Sequence, residues 1–210
     1  MAVFGPWPLI SPPTIYAPTT GLAIGPKSVE WEMEDVVGVS TNPFNLAQQY
    51  FLWQQSLLQC SVSYAFLTNA QHFAMLAWLM ELQGASGVFP FGDAYNTQPQ
   101  DSAATAPSVN GAGQTGYTLA VSGGSHQTPG DWISIQGSGS YSTGSRLYMI
   151  TSVAGGSLGI WPAIRESPAD TQSITISKAT GMFRLKGNTR KVTQNVDKTW
   201  SVTFEIREAL

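Results

Sequence analysis

"TWSVTFEIREAL", residues 199–210, alternates with a period of two. Trp200, Val202, Phe204 and Ile206 project to one side, and Ser201, Thr203, Glu205 and Arg207 to the other. A strand of this kind has one apolar and one wet face and needs a sheet to join. Two earlier stretches show the same pattern. In "LLQCSVSYA", residues 57–65, Leu58, Cys60, Val62 and Tyr64 share a face opposite Gln59, Ser61 and Ser63. In "VEWEMED", residues 29–35, Val29, Trp31 and Met33 alternate with Glu30, Glu32 and Glu34, and Asp35 follows. So regular a closing strand is expected to return to these first strands, which makes the material between them an insertion rather than a tail.

The intervening texture is different. From 105 to 180, short apolar runs are separated by Gly/Ser turns: "YTLAV", "DWISIQ", "RLYMITSV", "LGIW" and "SITIS". Five short strands in this space predict a small β-barrel or sandwich lobe. "GSGSYSTGS" reads as a hairpin loop, and "MFRL" and "KVTQNV" as strands leading into the closing one. The fold class is therefore mainly β with one prominent α-helix (α+β). A β-sandwich-like domain spans 28–104 and 181–210, and a small β-barrel lobe, 105–180, is inserted in it.

The one convincing helix, predicted over 69–83, lies in "TNAQHFAMLAWLMELQG". Thr68 or Asn69 suits its N-cap and Gly84 the position just past its end. It is apolar nearly all round, whereas a surface helix shows a stripe. Coverage on most sides, partly by another subunit, is expected, with Phe73, Leu76, Trp78, Leu79 and Met80 as candidate interface residues. Pro6, Pro8, Pro12, Pro13 and Pro18 crowd residues 1–27, which read as an extended N-terminal arm.

Composition narrows the function. Charged residues make up 11% of the 210, against about 25% in an average soluble domain. A surface so poor in charge is suited to lying against other protein. The net charge of −3 argues against a nucleic-acid binder, which needs a basic footprint. Cys60, the single cysteine, can form no internal disulfide. The first residues carry no Lys or Arg and several prolines, unlike a secretory signal, and the apolar run 73–80 is too short to span a bilayer. Folding in a cytoplasm, with no membrane anchoring, is the expectation.

Catalytic motifs match only as letters. "GAGQTG", 111–116, fits a dinucleotide-binding fingerprint but lacks the strand before it and the helix after it, so turn glycines explain it better. "GGSLG", 155–159, fits a nucleophile elbow, yet Ser157 leads into a strand rather than a helix. Only His72, in the apolar helix, and His126, in a loop, could serve as base; a Ser157–His126–Asp131 triad has no supporting context. Asp93, Asn96 and Asp101 have the wrong spacing for a calcium loop. Glu32, Glu166 and Asp131 are conceivable glycosidase carboxylates with nothing in their spacing to favour them. No catalytic residue, cofactor or metal is expected. Glu30, Glu32 and Glu34 have an ordinary reading as the wet face of a strand and a sharper one as the lining of a water-filled opening.

An ordered series of segments resembles a family of tail-tip proteins from long-tailed bacteriophages, the distal tail proteins. It comprises "NPFNLAQQYFLWQQSLLQCSVSY", "ELQGASGVFPFGD", "NGAGQTGYTL", "GDWISI", "RLYMITSV", "LGIWPAIRESPAD", "GMFRLKGN" and "VTFEIREAL", and covers roughly residues 40–210. The resemblance implies a structural virion subunit without enzymatic activity, assembled in the host cytoplasm. It implies a homo-oligomeric ring, commonly a hexamer, that joins the tail-tube protein to the baseplate hub and receptor-binding apparatus. DNA would pass through the ring without being bound specifically. One departure is that better-known distal tail proteins carry their second β-domain after the ring-forming domain, whereas here it is inserted. In such a ring Glu30, Glu32 and Glu34 would face the channel, where negative walls keep a polyanion from sticking. The alternative is a carbohydrate-binding β-module using Trp132, Tyr141 and Trp161, although core packing is the expected place for both tryptophans. A hydrolase built on Ser157 or on the acid cluster is a third reading.

Overall fold

The computed structural model describes residues 26–137, 144–189, 191–194 and 199–209, with backbone alone at 52–55 and 194. Residues 1–25 of the proline-rich segment, most of the Gly/Ser loop and Tyr141 lie outside the described residues. The chain is mainly β, with a single α-helix among the described residues. β1 (Ser28–Thr41) and β2 (Gln48–Leu67) lead into α1 (Asn69–Glu81), a short 3-10 turn (Gly84–Ser86) and β3 (Phe89–Phe91). The lobe follows as β4 (Ser108–Val109), β5 (Thr118–Ser122), β6 (Trp132–Gln136), β7 (Ser145–Ala154), β8 (Ser157–Trp161) and β9 (Ile174–Thr175). β10 (Gly181–Leu185), β11 (Lys191–Gln194) and β12 (Trp200–Glu208) complete the chain.

β12 does return to the first strands. The main sheet runs β1-β2-β12-β10-β3, with β11 also paired to β12 and every pairing antiparallel. β3 and β10, on either side of the lobe in sequence, are neighbours in this sheet, so the lobe is an insertion. The alternation places Leu58, Cys60, Val62, Tyr64, Val202, Phe204 and Ile206 on its buried face. One half of that face is covered by α1: the Trp78 ring meets Phe89 at 4.9 Å and Phe204 at 5.8 Å, both edge-on. The other half is covered by the lobe, where Trp132 lies 5.2 Å from Trp31, which also contacts Phe91 and Phe183 at 5.9 Å.

The lobe has six strands, not five, in the order β4-β5-β8-β7-β6-β9, and a bridge between Ser108 and Ser173 brings its two edges together. Leu119, Ile133, Tyr148, Ile150, Leu158 and Ile160 fill it. It is fastened to the main sheet by two arginines, each held in an ion pair. Arg146 reaches Glu166 at 2.7 Å and donates to the Ala209 carbonyl. Arg165 reaches Glu208 at 2.8 Å and donates to the Ser56 carbonyl. Trp161 Nε1 also donates to Asp35 at 2.9 Å, beside a bulge between Asp35 and Val37 of β1.

Two local expectations are corrected, the end of the helix and the extent of "SITIS", and the choice of N-cap is resolved. The helix ends at Glu81, and it is Gln83 (φ 50°), not Gly84 alone, that enters the left-handed region after it. Thr68 is the N-cap, in a reciprocal capping box with Gln71. "SITIS" contributes only the two residues of β9, while the unforeseen β3 and β4 add strands too short for an alternation to show.

Candidate functional site

Register fixes where the acids lie. Glu30 is opposite Ser61, itself opposite Glu205; Glu32 is opposite Gln59, itself opposite Arg207. All belong to the face of the main sheet turned away from α1 and the lobe, and Glu30, Glu32 and Glu34 are exposed there. Glu30 and Glu32 border a shallow depression of about 270 Å³ with Gln59, Ser61, Lys186 and Glu205. A cation lies among these acids. The turn after β10 hydrogen-bonds Lys186 N to Glu205 O at 2.9 Å, which brings the ammonium 3.4 Å from Glu205 and 3.9 Å from Glu32. Gln59 donates to Glu34 at 2.8 Å. The face is acidic with interleaved bases, open to solvent, and free of large apolar side chains across its centre.

The helix departs from expectation more sharply. Trp78 and Leu79, proposed as interface residues, are buried within the chain itself, with His72, Met75 and Leu82. Lying on the side turned to Val62, Tyr64 and Phe204, they cannot meet another subunit. The opposite side is open: Phe73 is 59% and Met80 54% exposed, with Leu76 half-buried between them and Ala77 exposed. Residues 73, 76, 77 and 80 form one stripe at helical spacing.

His72 lies on the buried side. Its ring stacks on Trp200 at 3.8 Å and 6°, its Nδ1 has no hydrogen-bond partner among the described residues, and burial lowers its pKa below 6.5. The unfolded chain then takes the proton more readily than the folded one, so stability present above about pH 6.5 is lost as pH falls through and below that value. Chemical denaturation at pH 7.5 and 5.5 should show a lower midpoint at 5.5 for the wild type and a smaller difference for His72→Phe, which keeps the stack. Equal slopes for the two would remove His72 from the account.

The remaining motifs have structural partners. Gly111, Gly113 and Gly116 are all at positive φ in a loop that Gln114 holds shut by bonding the Asn110, Gly111 and Ala120 carbonyls and the Ala120 amide. Ser157 donates to the Ala154 carbonyl in the β7–β8 turn, His126 pairs with Asp101 at 3.0 Å, and Asp131 accepts from the Gln100 and Thr128 amides. The three residues of the triad reading thus have separate partners. Asp93 closes a turn through the Tyr95 and Asn96 amides. Among the described residues no group of three or more His, Cys, Asp or Glu could hold a metal ion, and no helix is long and apolar enough to cross a membrane. Burial pushes the Cys60 thiol up to about 12, which leaves it protonated and a poor nucleophile.

Residues that sequence reasoning passed over lie between 36 and 51. β1 runs past "VEWEMED" to Thr41 and β2 starts at Gln48, so the two form a ribbon that projects beyond the rest of the sheet. Val37, Val39 and Leu46 are exposed on it, with Phe44 at the tip 96%, Tyr50 77% and Phe51 61% exposed. A two-stranded ribbon is marginal in water by itself. The signal in the sequence was "VVGVSTNPFNLAQQYF", two β-prone runs around an Asn-Pro turn. Of the aromatics suited to a sugar site, Trp132 and Trp161 are packed against the core shared by lobe and sheet. Compared with models of known protein families and with curated proteins, the sequence matches none.

Proposed function

We propose that the protein is a structural, non-catalytic subunit of the tail tip of a long-tailed bacteriophage. It closes with copies of itself into a ring between the tail tube and the baseplate hub. The observation that carries the reading is the β1–β2 ribbon, whose aromatic side chains have no cover among the described residues. Two features support it. Among the described residues β1, fourteen residues long, is paired only on the β2 side, so its other edge offers backbone donors and acceptors to a neighbour. The polar face bearing Glu30, Glu32, Glu34 and Glu205 is suited to line a channel that DNA crosses without adhering.

Light scattering across a concentration series, with negative-stain images of each peak, tests the ring; open circular particles are expected. Within phage particles, changing Glu30, Glu32 and Glu34 together to Lys should leave assembly intact and slow genome delivery. Normal infectivity of that variant overturns the channel assignment.

A further inference from the structure

Residues 36–80 contain no Lys, Arg, Asp or Glu. The run takes in the whole ribbon and α1 as far as Met80. Exposed strands and helices ordinarily carry charge that keeps them soluble and stops edges from associating. Here the uncharged stretch coincides with two apolar patches left uncovered among the described residues.

The first patch is the ribbon. Val39 is paired with Tyr50, so these two and Val37 share a face, and Phe44 caps the end. At about 200 Å² per aromatic side chain, Phe44 and Tyr50 leave on the order of 350 Å² open. That compares with the largest apolar patch on an ordinary monomer, about 300–600 Å². It is also a little under half of the ~800 Å² that one partner contributes to a stable interface.

The second patch is the outer stripe of α1, with Phe66 at the helix entrance. β2 and β12 lose register there: Tyr64 pairs with Val202 but Leu67 with Trp200. Phe66 sits in this bulge at φ 59°, a conformation that costs a bulky residue about 1–3 kcal/mol. The result is that Leu67 enters the core and Phe66 stands outside, 73% exposed.

The two patches cannot meet within one chain. β2 is continuous from Gln48 to Leu67, and at about 3.3 Å per residue Tyr50 and Phe66 are roughly 50 Å apart. Distinct complementary patches at opposite ends of one molecule make head-to-tail contacts, which close into rings when the rotation permits. We infer that the β1–β2 ribbon of one copy, led by Phe44 and Tyr50, docks on the Phe73–Leu76–Met80 stripe of α1 in the next copy. This rests on the ring reading and names its contact. Because neither patch is charged, the association should persist at high salt.

Cysteine pairing tests it, since native Cys60 is buried and does not compete. Phe44→Cys and Met80→Cys proteins are mixed, oxidised and resolved without reductant, while the mass of the unmodified protein is measured in parallel. Expected are 44–80 linked dimers from the mixture and a ladder of multimers from the double variant. Phe44→Asp and Met80→Lys should each shift the oligomer to smaller mass with an unchanged unfolding midpoint. An oligomer whose only links are 44–44 or 80–80, or which forms no links, overturns the contact and leaves the ring. Met80→Cys shielded from alkylation without a 44–80 link assigns the stripe to another occupant and overturns the contact. A monomer at every concentration, without links, overturns contact and self-assembled ring together.

Discussion

Arg165→Met is expected to lower the unfolding free energy by about 3–5 kcal/mol, the usual cost of leaving one charge of a buried pair unpartnered. Glu208 is the charge left behind. It stands near the end of β12, only 4% exposed, and receives both the Arg165 Nε, at 3.3 Å, and Nη2, at 2.8 Å. The same guanidinium satisfies the Ser56 carbonyl of β2, and the Arg165 amide donates to the Tyr148 hydroxyl at 3.1 Å inside the lobe. One side chain thus ties two strands of the main sheet to the barrel. Desolvation sets the size of the effect, because the attraction between the charges mainly offsets the cost of taking both from water. The double variant Arg165→Met/Glu208→Leu should therefore recover most of the loss. Denaturant titration followed by tryptophan fluorescence reads both. A single-variant loss below 1 kcal/mol would show that the pair does not hold the lobe.

Phe183→Ala should cost a similar amount, about 3–5 kcal/mol, for a different reason. Phe183 is fully buried in β10, with edge-on contacts to Trp31 at 5.9 Å and Phe91 at 6.0 Å. Truncation removes the transfer free energy of a ring and leaves a cavity whose walls cannot collapse. The nearby approach is already tight: a Cβ at Gly181 would lie 2.7 Å from the Leu147 Cβ of the lobe. The cavity would open where sheet and lobe share one core, so unfolding should stay a single transition at a lower midpoint. Two separated transitions would mean that the lobe folds independently of the sheet. A loss under 1 kcal/mol would mean that the site repacks.

Several parts of the fold were legible because one face of each strand has to be apolar. The alternation over 57–65 and 200–206 placed its inward residues correctly, and extending it by one step would have found Glu208, an acid at an inward position that needs a buried partner. Arg165 could not be named as that partner, because it lies in a loop of the lobe and the pairing spans 43 residues of sequence. The acid ladder on β1 was readable as an exposed face. Lys186, which interrupts its charge, comes from a turn that only the β10–β12 pairing brings alongside.

The helix shows the division most plainly. Its all-apolar composition announced that more than one side would be covered but not which side the chain covers for itself. His72, Met75, Trp78 and Leu79 turned inward because the capping box at Thr68 and the end of β2 fix the rotation at which the helix meets the sheet. By itself the sequence determined the strand faces, the helix, the insertion of a β-lobe and the scarcity of charge, all of which follow from local periodicity and composition. The tertiary structure alone decided that Phe73 and Met80 are the open residues and that the ribbon stands clear of the sheet. It also decided that two arginines clamp the lobe, because each depends on which distant segments the folded chain brings into contact.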